Sequence, residues 1–401
     1  MKRLLADLAA GTGDPIARII ELARRHLHMD VVFVAEFSEG KRVTRAIGGD
    51  AESFALTVGT GPELAATYCN LLVAGAIPNL IADARGDARV SALPATAESD
   101  IGAYIGVPLV LPDGEVYGSF CCLSHDANET LSDRDVKFMQ MLADLLVDHI
   151  AAKRALATEH DEIRQIIDGG LFVTALQPIV RISDGRNLGY EALTRFTTGA
   201  RPDIVFAAAE RAGLGVELEV ATAGLAVELL PLLAERQYLS INASPALILG
   251  QAADAAAIDL PWHRVVSELT EREDVEDYAE LSRQLQPLRD RGMRIAIDDA
   301  GAGYASLHHI AQLHPDVIKI DRSLVAGVAD DAARRSIITG FCALARDLDA
   351  TLVAEGVERD VDLAALAGLG VDAAQGYLLG KPTTDLAALL RPAPALGAAV
   401  V

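Results

Sequence analysis

Apolar and polar positions along the chain follow two different rhythms. From Pro15 to His28, the residues Ile16, Ile19, Ile20, Ala23 and Leu27 recur at the spacing of one helical face, which predicts an amphipathic helix. Strand-like runs follow at Val31–Phe37, Val43–Ile47, Ile101–Leu111 and Glu115–Ser124. Pro112-Asp113-Gly114 joins the last two, and such residues favour a tight turn. This order predicts an antiparallel sheet with flanking helices, an α+β domain. Ser132 with Asp135 then predicts a helix start, and Val136, Met139, Leu142, Leu146 and Ile150 keep a heptad-like seam in a helix running to about Ile167. Such a seam fits a helix packed on its own domain. It also fits a signalling helix that pairs with its twin across a homodimer, and because the pattern runs past the first domain, the second reading is preferred.

From Leu171 onward the rhythm changes. Strands are predicted at Phe172–Ile182, Leu188–Arg195, Tyr238–Ala243, Arg264–Leu269, Arg294–Asp298, Val317–Asp321, Thr351–Ala354 and Val371–Gln375. Helical stretches lie between most of them, at Val216–Glu235, Val275–Arg291, Ala332–Leu348 and Leu363–Leu369. Repeated strand–helix units of this total length predict an α/β fold, a TIM-like (β/α)8 barrel whose functional groups sit at the carboxyl ends of the strands.

Composition narrows the class. The chain has 401 residues, of which 51% are hydrophobic and 4% aromatic, so its cores must be aliphatic and its fold globular. A formal net charge of -22 repels polyanions and argues against a nucleic acid polymer as partner, while a small anion can still bind beside cations. Cys69, Cys121, Cys122 and Cys342 form no C-x-x-C pair, so neither zinc nor a disulfide framework is indicated. The stretch Met1–Ala10 is broken at Asp7 and too short for a signal sequence, and no apolar run approaches a membrane span. The expectation is a cytoplasmic protein with reduced thiols and no membrane contact.

Polar side chains recur where the second rhythm predicts strand ends: Asn242, Glu268, Asp298 and Asp299, Lys319, Glu355 and Gln375, with Glu191 upstream. A carboxylate at the edge of a buried strand is costly unless something neutralises it. Each acid alone would more often be a helix cap or a surface ion-pair partner. Together, many acids with one amide and one lysine point to a divalent-metal site built for chemistry on a phosphate. His308, His309 and His314 read as packing or surface residues.

Two resemblances sharpen this picture. Tyr104-Ile105-Gly106-Val107-Pro108-Leu109, the turn, and Val116-Tyr117-Gly118-Ser119-Phe120 look like the closing hairpin of a GAF sensory domain over residues 14–150. A second set of segments resembles the EAL-domain family of cyclic-di-GMP phosphodiesterases. It comprises Gln177-Pro178-Ile179, Glu191-Ala192-Leu193-Thr194-Arg195, Asn242-Ala243-Ser244, Glu268-Leu269-Thr270-Glu271, Asp298-Asp299, Lys319-Ile320-Asp321, Ala354-Glu355-Gly356-Val357-Glu358 and Gln375-Gly376-Tyr377. The implied organisation is a GAF-like domain over 14–150, a connecting helix over 132–168 and an EAL barrel over 169–392.

By that resemblance the reaction is hydrolysis of cyclic di-GMP to linear 5′-pGpG with two Mg²⁺ or Mn²⁺ ions per site. Glu191, Asn242, Glu268, Asp298 and Asp299 are implied metal ligands. Lys319 and Glu355 are implied catalytic residues, Glu355 as general base. Gln177, Leu193, Arg195 and Gln375 are implied at the substrate, and Glu271 steadies the loop after Asp299. A small-molecule or redox signal is implied at the GAF-like domain. Ala300 and Leu379 stand where the family usually has Phe, which bears on the loop and the guanine-contacting wall. A catalytically silent cyclic-di-GMP receptor that signals through a protein partner is the alternative of another class.

Overall fold

The computed structural model describes residues 14–269, 275, 277–301 and 305–385. It divides into two compact units, residues 1–157 and 158–401.

The N-terminal unit is built on five antiparallel strands, β1 (Val31–Ser38), β2 (Lys41–Gly49), β3 (Leu80–Ile81), β4 (Ala103–Val110) and β5 (Val116–Ser124), in the order β2-β1-β5-β4-β3. The helix Pro15–Leu27 starts where the Asp14 carboxylate accepts the Ile16 amide at 3.0 Å and Pro15 fills the first turn. At the β4–β5 turn the Asp113 carboxylate accepts the Glu115 amide at 2.9 Å, and Gly114 takes φ +88. Strand alternation gives the sheet two apolar faces. One packs on Pro15–Leu27 and on the long helix Asp133–Asp168; the other is covered by the short helices Tyr68–Val73 and Pro94–Glu98.

The long helix opens as the Ser132–Asp135 pair predicts, although the Asp135 carboxylate takes both the Ser132 amide (2.9 Å) and its hydroxyl (2.8 Å). Its seam corrects the preferred reading. Met139, Leu142, Leu146 and Ile150 are buried in the core of their own domain, with Val136 packed at its edge, so they leave no surface for a twin helix. An apolar stripe at helical spacing fits a sheet as well as another helix. Leu146→Ala is therefore expected to cost about 2–5 kcal/mol of stability, measured by denaturant unfolding; a loss of oligomer with unchanged unfolding would restore the seam.

The C-terminal unit is a closed barrel of β6 (Phe172–Arg181), β7 (Asn187–Phe196), β8 (Tyr238–Ala243), β9 (Val265–Leu269), β10 (Arg294–Ala300), β11 (Val317–Ile320), β12 (Thr351–Ala354) and β13 (Ala373–Ala374). It departs from the regular (β/α)8 pattern in one respect: β6 runs antiparallel to both β7 and β13. The connection over residues 182–186 is a tight turn in which the Asp184 carboxylate accepts the Arg186 amide at 3.1 Å. A parallel neighbour would need a crossover of roughly a dozen residues or more. Helices Pro202–Arg211, Gly215–Val227, Pro245–Ala257, Tyr278–Asp290, Ala305–Leu313, Ala332–Asp347 and Asp360–Leu369 surround the strands; most of their apolar residues join the strands' outward faces in one core, while Val205, Ala208, Ala209 and Leu218 pack with Phe172 and Phe196 in a second cluster.

Candidate active site

Inside the barrel, Ile179, Tyr238, Val266, Ala296, Val317, Val353 and Ala373 form an apolar floor. Side chains two apart on a strand share a face. Two residues beyond this floor, on each parallel strand or just past its end, come Ser240, Glu268, Asp298, Lys319, Glu355 and Gln375. On the reversed β6 the same step runs backwards, from Ile179 to Gln177. Glu191 enters from β7, in register with Gln177 on one side and Ser240 on the other. One period-two rule thus produces a polar storey above a dry floor.

Lys319 organises that storey. It is 1% exposed, and its Nζ lies 2.8 Å from Glu268, 2.8 Å from Glu355, 2.9 Å from Asp298 and 3.7 Å from Glu191. Glu191 is held from its other side: its carboxylate accepts the Gln375 amide at 2.5 Å and the Asn242 amide at 3.5 Å. Gln375 also donates to the Gln177 side-chain Oε1 at 3.0 Å, and the Gln177 Nε2 donates to the Gly380 backbone carbonyl at 3.0 Å. Sequence reasoning missed Ser240, whose hydroxyl donates to Glu268 at 2.5 Å.

Asp298 and Asp299 need a local irregularity to act together, because strand alternation sends neighbours to opposite faces. Pairing of β10 with β11 slips between Ile297 and Ala300, and Asp299 takes φ +52. A bulge with one residue in the left-handed region re-aims a side chain, and Asp tolerates that conformation better than most residues. As a result carboxylate oxygens of Asp298, Asp299 and Glu355 lie within 4.8 Å of one another. Gly356 follows at φ +64, where an added Cβ would meet Arg322 Cγ at 2.4 Å. Glycine is needed to turn the chain away directly after Glu355.

Beside this cluster a cavity of about 500 Å³ is lined by Leu193, Arg195, Asn242, Ser244 and Asp299, among others. The Arg195 guanidinium donates to the Thr194 carbonyl at 2.8 Å and makes no ion pair among the described residues. The loop after Asn242 is tethered by Glu219, a second residue missed from sequence, whose carboxylate accepts the Ser244 amide (3.2 Å) and hydroxyl (2.8 Å). Ser244 in turn caps Pro245–Ala257 through the Leu247 amide at 3.0 Å. Ala300 is fully buried, and Leu379 packs against the barrel core. Glu271 lies outside the described residues. His309 serves packing: its Nδ1 is 2.9 Å from the Tyr278 hydroxyl.

The acids around Lys319 outnumber the cations that pair with them among the described residues. Among the described residues, the ion pairs of Glu191, Glu268, Asp298 and Glu355 all run to Lys319. Burial pushes Glu268 up to about 8 against the pull of Lys319, with Glu191 and Asp298 adding repulsion. Burial likewise raises Glu355 well above the carboxylate range, opposed by Lys319 and reinforced by Asp298 and Glu191. Lys319 is held strongly protonated because its surrounding acids outweigh its desolvation. A crowd of hard oxygen donors with excess negative charge fits divalent cations.

A family model described as the EAL domain matches residues 160–382, and one described as the GAF domain matches residues 14–150. The chain belongs to the EAL domain family. The chain is 30% identical over 254 residues to the probable cyclic di-GMP phosphodiesterase PdeG of Escherichia coli, covering 59% of this chain and 50% of PdeG. It is 33% identical over 236 residues to the cyclic di-GMP phosphodiesterase RocR of Pseudomonas aeruginosa, covering 55% of this chain and 59% of RocR. Among solved structures, the PaMucR phosphodiesterase in complex with c-di-GMP is 28% identical with a TM-score of 0.51, over 58% of this chain and all of that one. The chain spans from 16% to 59% of the length of curated relatives it matches. No helix among the described residues is long and apolar enough to cross a membrane.

Proposed function

We propose that the EAL domain hydrolyses cyclic di-GMP to linear 5′-pGpG, using two Mg²⁺ or Mn²⁺ ions, and that the GAF domain senses a small-molecule or redox signal. The observation that carries this is the polar storey: four carboxylates converge on one buried lysine, Asp299 and Asn242 join them at its edge, and the Arg195 fork lines the cavity beside it. Glu191, Asn242, Glu268, Asp298 and Asp299 are the proposed ligands. When bound, the ions would supply an acidified water and charge neutralisation at the phosphate.

The chain's own groups do the rest. Lys319 keeps Glu268, Asp298 and Glu355 drawn together and offsets phosphate charge. Glu355, beside Asp298 and Asp299, is placed to accept the proton of an attacking water. Arg195 grips a phosphate through its planar fork at the cavity wall, where Leu193 offers an apolar contact. Gln375 and Gln177 hold Glu191 in its rotamer. Glu271 is proposed to steady the loop after Asp299.

The direct test is incubation of the purified chain with cyclic di-GMP and Mg²⁺ or Mn²⁺, followed by chromatography for pGpG. Binding without pGpG would select the silent receptor instead. A second test uses the raised Glu268. Its folded-state pKa of about 8 lies above the ordinary 4.5, so its contribution to stability is complete below about 4.5 and is lost as pH rises through about 8. In chelator the melting temperature should therefore fall between pH 5 and pH 8.5. Mn²⁺, which favours ionised ligands, should raise it more at pH 8.5 than at pH 5. An equal shift at both pH values would count against this ligand set.

A further inference from the structure

Alternation along β5 sends Cys121 and Cys122 to opposite faces of the GAF sheet. Cys122 lies against Met139 of the long helix, sulfur to sulfur at 3.7 Å. Cys121 faces the other core, where Cys69 of the helix Tyr68–Val73 brings its Sγ to 3.9 Å. The pair that could join is therefore the one separated in sequence, not the adjacent one. All four cysteines are free, and Cys69 and Cys121 are both fully enclosed.

Their surroundings are chemically asymmetric. Arg42 from β2 is 9% exposed and lays its guanidinium over the Phe33 ring at 5.0 Å. Phe33 is the register partner of Cys121 across β1 and β5. The Arg42 Nε and the Ser119 hydroxyl are buried without a hydrogen-bond partner, and among the described residues no carboxylate pairs with Arg42. A guanidinium buried without a carboxylate favours any nearby group that can become an anion. Cys69 is that group: its hydrogen bond with Cys121 lowers its pKa against the effect of burial, and the Arg42 charge adds to the lowering. Burial and the Cys69 neighbour hold Cys121 well above the ordinary thiol value. Two sulfurs in contact, one of them carried on a short helix that can open, are the arrangement of an attacking and a resolving cysteine.

We propose that Cys69 and Cys121 are an oxidisable dithiol that closes to a disulfide when hydrogen peroxide reaches the GAF core, with Cys69, on the short covering helix, as the attacking sulfur. The Cys69 sulfur attacks one peroxide oxygen; an S–O bond forms as the O–O bond breaks, and the departing oxygen leaves as water after taking a proton. The Cys121 sulfur then attacks the sulfenic sulfur of Cys69. The S–S bond forms as the S–O bond breaks, and the Cys121 proton leaves with the hydroxide as a second water. Two thiols are oxidised and one peroxide is reduced to two waters. Access is through the Tyr68–Val73 cover, 6 residues long, since so short a helix opens locally at low cost. The bond would tie that cover to β5. Its chemistry is independent of the phosphodiesterase reading, so the test reads thiols and not turnover.

The full chain is treated with hydrogen peroxide, alkylated under denaturing conditions and mapped by mass spectrometry. Expected are an intact mass lower by about 2 Da before alkylation and, after it, a linked pair of peptides carrying Cys69 and Cys121, alkylated Cys122 and Cys342, and reversal by dithiothreitol. In Cys121→Ser, dimedone should trap a sulfenic acid on Cys69; Cys69→Ser should give neither adduct nor disulfide. Circular dichroism checks that each variant is folded, and the native chain's map decides alone if either is not. Four alkylated thiols after peroxide, a linkage through Cys122 or Cys342, or a dimedone adduct on Cys121 in the native chain would each overturn the proposal.

Discussion

Glu191→Ala is expected to abolish cyclic-di-GMP turnover while leaving the barrel folded. Glu191 is 6% exposed and stands where three supports meet: the Gln375 amide, the Asn242 amide and, at 3.7 Å, the Lys319 ammonium. Alanine removes one proposed ligand and strips two amides of their acceptor, so Asn242 loses its orientation together with Glu191. A bound ion is worth several kcal/mol at a charged transition state, which corresponds to at least ~10³-fold in rate. The loss should appear as weakened Mn²⁺ binding by calorimetry as well as absent pGpG. It should not appear as unfolding, because the apolar floor of Ile179, Tyr238, Val266 and their neighbours lies below the change. Turnover near the native rate at ordinary Mn²⁺ concentration would remove Glu191 from the ligand set.

Much of this site was legible because each short strand carries its chemistry at a fixed parity. Val266 and Glu268, Ala296 and Asp298, Val317 and Lys319, and Val353 and Glu355 each repeat one apolar residue followed two positions later by a polar one. Ser240 had the same signal, since it shares parity with Tyr238 and Asn242, but a serine in an apolar run reads as ordinary packing. Glu219 had none. It sits in a helix with weak amphipathic pattern, and only the folded chain brings it to Ser244. The convergence of Asp298 with Asp299 also lay beyond alternation, because it depends on a bulge and a positive φ.

Fold details divide along similar lines. The reversal of β6 was implicit in the short connection after Arg181, which cannot hold a crossover, yet repeated strand–helix units suggest uniform parallel order. Helices Pro202–Arg211 and Pro245–Ala257 begin with Pro at the first turn and are rich in Ala, so their periodicity is faint. The heptad-like seam shows the opposite error. Its periodicity was real, but period alone does not name what the stripe packs against, and the sheet of its own domain took it.

Glu355→Gln is expected to keep substrate and metal binding while lowering turnover by about 10²–10⁴-fold, the range of a positioned base. Glutamine retains an oxygen for the 2.8 Å contact with Lys319 and nearly the same volume, so the storey need not rearrange. What it lacks is the capacity to take a proton. It also removes a carboxylate whose ionisation burial and Asp298 oppose, so the variant should be no less stable in chelator at high pH than the native chain. That separates two roles for the same residue. If Glu355 is chiefly a ligand beside Asp298 and Asp299, the variant will need more Mn²⁺ and recover turnover when it is supplied. If it is the base, saturating Mn²⁺ will leave the rate low with the apparent substrate affinity intact, and near-native turnover would withdraw the assignment.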